Sequence, residues 1–196
     1  DQDGYGVKVL AEIRGTDLEA ITIVDDRVFV VSEGVEDSEL IELRWEGAVL
    51  GVVHRWTFPA ALVEAIAYVP TRNGSSTGAK GSLFVASTSR STISEYELPS
   101  PDGTWAGSKI NEINTNLLGN GLVDSKISAL QYFEGKLYVL HDSARVVRVW
   151  DLTTGDFLSE WELPRTQSGF DKQWEGMALE LPLIHISEPT RPNWTS

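Results

Sequence analysis

Carboxylates recur at one position of a short phrase that appears four times along the chain. The phrase consists of an apolar residue, a Glu, a tiny residue and a second apolar residue, and Ser128 replaces the Glu in the third copy. The other copies carry Glu19, Glu64 and Glu175, and the intervals between successive copies are 45, 64 and 47 residues. Periods of about 40–50 residues are typical of propeller blades, which bring equivalent side chains to equivalent places. We therefore expect these four side chains to converge.

Converging carboxylates favour the binding of a cation. Each negative charge raises the pKa of the others unless a cation neutralises them, and Ca²⁺ and Mg²⁺ prefer such oxygen ligands. The pattern predicts Ca²⁺ as cofactor, although a structural role stays open in which each Glu accepts backbone N–H bonds from a neighbouring blade. The predicted metal ligands are Glu19, Glu64, Glu175, Glu33 and Asp142.

The last two of these ligands, together with Asp17 and Asp171, are predicted at strand ends near the same rim. His141, next to Asp142, is a candidate base or ligand, whereas His54 is predicted to be a surface or packing residue. The sequence contains no Gly-x-Ser-x-Gly elbow, His-Glu-x-x-His pair or P-loop. Because the chain has no cysteine, disulfides, thiolate metal sites and cysteine nucleophiles are excluded. No catalytic residue is assigned.

Short apolar strands separated by polar turns must position these residues, which predicts an all-β fold, a β-propeller of four-stranded blades. About three blades plus pieces of two more are expected, which makes this a partial propeller. The segment 7–13 is read as an outer strand, 100–121 as inserted loop and 173–180 as the start of a further unit. The strands of the three blades are predicted at 20–24, 27–32, 39–45 and 52–58, at 64–69, 82–87 and 92–98, and at 127–133, 136–141, 146–152 and 157–163.

The overall composition narrows the choice of partner. The 196 residues carry a formal net charge of −13, which argues against nucleic acid or an anionic membrane surface as the main partner. No apolar run approaches the roughly 18 residues of a membrane-spanning segment. The expected partner is therefore an unknown small molecule or a protein.

The residues near the C-terminus change character abruptly. The string at 183–192 resembles the translation of a sequencing adapter, so we predict a partial propeller at 1–180 and a non-native tail at 181–196. The chain would then be a fragment, and its open sheet edges would promote aggregation or oligomers. Because the sequence starts at Asp1 rather than Met, a preceding segment is also expected.

The phrase at 17–23, continued by the strand at 27–33, resembles the SdiA-regulated propeller family, whose members repeat Asp-x-Glu-Gly followed by a strand ending in Glu. Residues 173–180 match the same phrase, and the phytase-like esterase propellers are near neighbours. The resemblance implies a Ca²⁺-associated, six-bladed propeller that is periplasmic, attached to the cell envelope or secreted. The chain departs from the family at Ala20 and Ala65, where Gly is usual, and at Ser128.

Two functions follow from these observations. The first is a non-catalytic, Ca²⁺-binding propeller of the SdiA-regulated type with an unknown ligand. The alternative is a metal-dependent hydrolase of esters or phosphoesters, in which channel carboxylates hold Ca²⁺ so that it polarises the substrate and lowers the pKa of a water.

Overall fold

A computed structural model describes residues 17–33, 37–47, 49–58, 60, 62–71, 81–87, 92–114, 126–163 and 176–177. These residues form twelve strands in three four-stranded antiparallel sheets. Among them, no helix has the length and apolar character needed to cross a membrane. The predicted all-β fold of four-stranded blades, a partial propeller, is confirmed.

Each sheet is a meander in which sequential strands pair. Blade 1 consists of β1 (Asp17–Val24), β2 (Arg27–Glu33), β3 (Ser38–Glu46) and β4 (Val49–Phe58). Blade 2 consists of β5 (Val63–Pro70), β6 (Gly81–Ser87), β7 (Thr92–Glu97) and β8 (Lys109–Asn114). Blade 3 consists of β9 (Ile127–Phe133), β10 (Lys136–His141), β11 (Val146–Asp151) and β12 (Phe157–Glu162).

Local sequence explains the hairpins. The loop between β9 and β10 contains only Glu134 and Gly135, whose φ angles of 46° and 80° are both positive. This is the requirement of a type I′ turn, whose twist matches that of the flanking strands. The second strands are apolar on both faces, and β2 and β6 are almost entirely buried, as expected for strands between two layers of side chains.

The blades stack through their flat faces. One apolar cluster joins blades 1 and 2, and includes Phe29, Phe58, Ile66 and Leu83. A second joins blades 2 and 3, where Phe84 and Ile93 pack with Leu137 and Trp150. The first strand of each blade contacts the first strand of the next, so β1, β5 and β9 lie side by side. We call the surface bounded by these three strands the channel.

One element differs from its prediction. The strand β8 lies within 100–121, which the sequence indicated as an insertion. Its polar, Asn-rich sequence does not show the apolar pattern that predicts a strand. An outer strand does not need an apolar face, and Ile110 is exposed. Residues 7–13, 173–175 and 181–196 lie outside the described residues, so the predicted outer strand, the start of the further unit and the non-native tail stay predictions.

Candidate functional site

The repeated phrases begin the innermost strands, and they meet. Glu19 on β1, Glu64 on β5 and Ser128 on β9 line a single cavity of 140 Å³. Gly176 and Met177, from the fourth copy of the phrase, line the same cavity. Glu175 lies outside the described residues. The convergence expected from the repeat therefore holds for the three copies on β1, β5 and β9.

A β-bulge orients each of the three side chains. The strand register shifts between Leu18 and Ala20 in blade 1, so Glu19 has no partner on β2. The same shift skips Glu64 in blade 2 and Ser128 in blade 3. Bulges add an unpaired residue and redirect its side chain, and they are enriched next to functional sites. The repeated position is therefore a bulge in every described blade.

Carboxylates crowd the rim of the channel in blade 1. Asp17, Glu19 and Glu33 each offer an oxygen, and these oxygens all lie within 4.8 Å of one another. Asp17 and Glu33 are directly opposite in the β1–β2 ladder, which places both beside the bulge. Burial raises the pKa of Glu19, and the negative charges of Glu64, Asp17 and Glu33 raise this pKa further. We call Asp17, Glu19 and Glu33 the acidic trio.

Lys126 is a site residue that the sequence analysis missed. Its Nζ lies 2.9 Å from Oε1 of Glu64, and this hydrogen bond raises the pKa of Lys126. Lys126 precedes Ser128 by two positions, as Asp17 precedes Glu19. Alignment of the repeats could have found it, because the third copy has a base where the first copy has Asp17. Glu64 and the acidic trio thus supply four carboxylates against one ammonium.

Ser128 presents a hydroxyl that lacks a partner. Only 6% of the residue is exposed, and its Oγ is buried. Within the described part of the chain, its Oγ has no hydrogen-bond partner. A buried hydroxyl without a hydrogen bond costs on the order of 1–3 kcal/mol, so a persistent group of this kind calls for an explanation such as a bound ligand or water.

The other predicted site residues lie apart from the acidic trio. Asp142 lies in the β10–β11 turn, where its backbone N–H donates to the carbonyl of Lys126 and its carbonyl accepts from Arg145. It does not belong to the group of carboxylates close enough to share one ion among the described residues. His141 is buried on β10, paired with Ile127 and Val146. Asp171 lies outside the described residues.

A larger cavity of 490 Å³ continues the channel. It shares Ile21, Ile66 and Gln131 with the smaller cavity. Tyr68 and Tyr132 also line it, and burial raises the pKa of the Tyr68 hydroxyl. The channel therefore has a carboxylate-rich end and a mainly apolar, aromatic end.

A second charged cluster, around Glu42, lies between blades 1 and 2 and was not predicted. The side chain of Glu42 is fully buried and accepts two hydrogen bonds of 2.9 Å from the Arg27 guanidinium. Arg44 Nε lies 2.6 Å from Glu42 Oε1, and His54 Nδ1 lies 3.3 Å from Glu42 Oε2. Burial opposes ionisation of Glu42, but the hydrogen bonds from Arg27 and Arg44 outweigh it and lower its pKa.

The connection between β7 and β8 covers this second cluster. Arg27 also donates to the carbonyl of Pro99 at 2.8 Å, and Arg44 donates to that of Pro101 at 2.9 Å. Trp56 donates to the carbonyl of Gly103 at 3.0 Å and packs edge-on against Trp105. The connection thus fastens blade 2 to blade 1, and the cluster serves the inter-blade contact rather than the channel.

Comparisons with known proteins concern the fold alone. No family model matches the chain, and no curated protein does so either. Among solved structures, a protein of unknown function from Bacteroides caccae has a TM-score of 0.50 and 15% identity over 78% of this chain and 48% of its own. Glutaminyl cyclase from Myxococcus xanthus has a TM-score of 0.49 and 11% identity over 76% of this chain and 52% of its own.

The WD40 domain of coronin from Toxoplasma gondii has a TM-score of 0.49 and 13% identity, over 76% of this chain and 36% of its own. The chain thus spans about half or less of the length of these three structures. At such identities the similarity does not extend to function.

Proposed function

We propose that the chain belongs to a non-catalytic binding propeller that holds Ca²⁺ at the acidic trio and presents the channel to a ligand. The observation that supports this most is the convergence of three oxygens, from Asp17, Glu19 and Glu33, within 4.8 Å. Ca²⁺ takes oxygen ligands at 2.3–2.6 Å, so two ligands of one ion lie no more than about 5 Å apart. The spacing of the acidic trio fits that limit.

The charge balance supports the same proposal. Four carboxylates face one ammonium at this end of the channel, and their repulsion contributes to the raised pKa of Glu19. A divalent cation would neutralise two of the three remaining negative charges. The proposed ligands are Asp17, Glu19 and Glu33; Glu64 is already paired with Lys126.

We also propose that the chain is a member of the SdiA-regulated propeller family. This assignment is supported by the repeated phrase and by the position of its Glu in a bulge of both β1 and β5. A periplasmic, cell-envelope or secreted location follows from this assignment and is proposed with it. Fractionation of cells that express the complete gene tests the location.

Calorimetric titration with Ca²⁺ tests the proposed function. We expect saturable heat with the native chain and its loss in Glu19→Gln. The matched control is Glu39→Gln, because Glu39 on β3 forms an exposed pair with Arg55 on β4 and the same substitution there should leave binding unchanged. No heat with the native chain, or equal heat in all three proteins, would overturn the calcium site. Chelator-sensitive hydrolysis of generic esters or phosphoesters would instead support the hydrolase alternative.

A further inference from the structure

We infer that the channel binds a small organic monocation, an ammonium group carried on an apolar body, with the ammonium at the cavity of Glu64 and Ser128. The inference rests on the proposed binding role of the channel and names the class of its ligand. It depends on four features: charge, an unsatisfied hydroxyl, an internal mimic of the ligand, and a continuous apolar wall.

Charge selects a cation. Among the described residues, the acidic trio and Glu64 face the ammonium of Lys126 alone, which leaves three negative charges at one end of the channel. A Ca²⁺ ion at the acidic trio would leave one. An anionic ligand would be repelled with or without the metal, whereas a monocation that takes the place of Lys126 at Glu64 keeps that carboxylate paired.

The hydroxyl of Ser128 supplies an acceptor for the same group. It is buried, lines the 140 Å³ cavity with Glu64, and has no hydrogen-bond partner among the described residues. An ammonium has three donors and no acceptor, so it can donate to Ser128 Oγ and to a carboxylate at once. This unsatisfied hydroxyl is an observation independent of the acidic residues, and its oxygen can accept a hydrogen bond from a ligand that donates one.

The chain itself shows that an alkylammonium fits here. The Nζ of Lys126, at the end of an aliphatic side chain, lies 2.9 Å from Glu64 Oε1. The Lys126 side chain keeps 42% of its surface exposed, so it can be displaced without opening the core. Lys126 is then a competitor that an external ammonium replaces at Glu64.

The apolar body has a place beside this group. The 490 Å³ cavity adjoins the smaller one through Ile21, Ile66 and Gln131, and its size is that of sites for small organic ligands. Ile21 and Ile23 are 63% and 62% exposed, so an apolar ligand would remove them from water. Tyr68 and Tyr132 add aromatic surface to the same wall.

Three probes of one chain length test the inference: hexylammonium, hexanol and hexanoate, titrated calorimetrically into the full chain. We expect hexylammonium to bind at least about tenfold more tightly than either control, as one charge-assisted hydrogen bond implies. Affinity should rise about fourfold for each CH₂ added between butyl- and octylammonium. Equal binding of the three probes, no binding of hexylammonium, or no dependence on chain length would overturn the inference.

Two substitutions test where the ammonium binds. They are expected to change the affinity for hexylammonium in opposite directions. Glu64→Gln should weaken hexylammonium binding about tenfold, and Lys126→Gln should strengthen it about tenfold because the internal competitor is gone. Glu39→Gln is the control and should change nothing. If Lys126→Gln weakened binding as Glu64→Gln does, the competitor role would be wrong; if neither changed it, the site would be wrong.

The same titrations separate this inference from the calcium proposal. Hexylammonium binding in chelator by a chain that gives no heat with Ca²⁺ would overturn the calcium site and support the ammonium site. Calcium binding without hexylammonium binding would overturn the present inference alone.

Discussion

The Nζ of Lys126 lies 2.9 Å from Oε1 of Glu64, across the boundary between blades 2 and 3. This ion pair links the inner strands of two blades and also provides the positive charge nearest to Glu64 among the described residues. The third copy of the repeated phrase differs from the first copy, which has Asp17 and Glu19, in both of these positions. A base replaces an acid at Lys126, and a hydroxyl replaces a carboxylate at Ser128. The site is asymmetric, with the carboxylates of the acidic trio on one side and the ammonium of Lys126 on the other.

Loss of the Lys126 charge should lower stability only while the native lysine is protonated. The pKa of Lys126 is raised by its hydrogen bond to Glu64, so its contribution is complete below the unfolded value of 10.5 and is lost as the pH rises through the higher folded value. At pH 7, Lys126→Gln should cost less than about 1 kcal/mol, because the pair is partly exposed. Urea unfolding from pH 7 to pH 11.5 checks this, and a difference that does not change with pH would contradict it.

Neutralisation of Glu19 should raise the stability of the folded chain, whereas loss of the Lys126 charge should lower it. The raised pKa of Glu19 means that the folded chain binds this proton more tightly than the unfolded chain does, so ionisation of Glu19 costs stability at pH 7 and the cost disappears as the pH falls below the unfolded value of 4.5. Without metal, Glu19→Gln should unfold about 1–2 °C higher at pH 7, because it removes a charge that burial and the neighbouring carboxylates both disfavour, and such repulsion is on the order of 0.5 kcal/mol.

Calcium provides the control for the Glu19 prediction. Saturating Ca²⁺ should raise the melting temperature of the native chain above that of Glu19→Gln, because a ligand stabilises only the folded form that binds it. A variant that melts below the native chain at pH 7 in chelator would contradict the repulsion, and an unchanged order in Ca²⁺ would contradict the role of Glu19 as a ligand.

The buried cluster at Glu42 should be far more sensitive than an exposed pair. Glu42→Gln leaves the Arg27 guanidinium buried without its counter-charge, which should cost about 3–5 kcal/mol. The control, Glu39→Gln, removes an exposed pair with Arg55 and should cost less than about 1 kcal/mol. Chemical denaturation compares the two variants directly. Equal losses would show that burial does not determine the contribution of these pairs.

The same cluster predicts a loss of stability in acid. Although burial opposes it, the hydrogen bonds from Arg27 and Arg44 lower the pKa of Glu42. The resulting stabilisation is present above the unfolded value of 4.5 and is lost as the pH falls through the lower folded value. The free energy difference between the native chain and Glu42→Gln should therefore shrink below pH 4.5, as urea unfolding at several pH values would show.

Gly103 fixes the connection that fastens blade 2 to blade 1. Its φ is +88°, and a Cβ at this position would collide with the His54 ring. Gly155 also has a positive φ, +79°, but has nothing within 4 Å of that position. Both substitutions to Ala should therefore cost about 1 kcal/mol in backbone strain, and Gly103→Ala should cost more because His54 must move. Thermal melts compare them, and equal costs would contradict the packing of Gly103 on His54.

The sequence predicted the propeller because its repeat and its strand pattern agree. Glu19, Glu64 and Ser128 occupy equivalent positions, and a β-bulge at that position orients each of them toward the channel. The bulge itself could not be foreseen, because it is a property of strand register. Lys126 was missed because only the Glu position of each copy was compared, and β8 was missed because its polar residues give no alternating pattern.

The pairing of Arg27 with Glu42 could not be predicted from the sequence either. These residues are 15 positions apart and become neighbours only through the β2–β3 register. The connection that covers them comes from another blade, about 70 residues along the chain. Contacts of this kind depend on how blades stack, which a repeat period does not specify.

A crystal structure of the chain with Ca²⁺, read with anomalous scattering, tests the central claim most directly. The account predicts one anomalous peak among the carboxylates of Asp17, Glu19 and Glu33, with oxygen distances of about 2.3–2.6 Å. It also predicts that Lys126 keeps its contact with Glu64 while the metal is bound. Absence of a peak at the acidic trio under saturating Ca²⁺, or a peak only at other acidic residues, would contradict it.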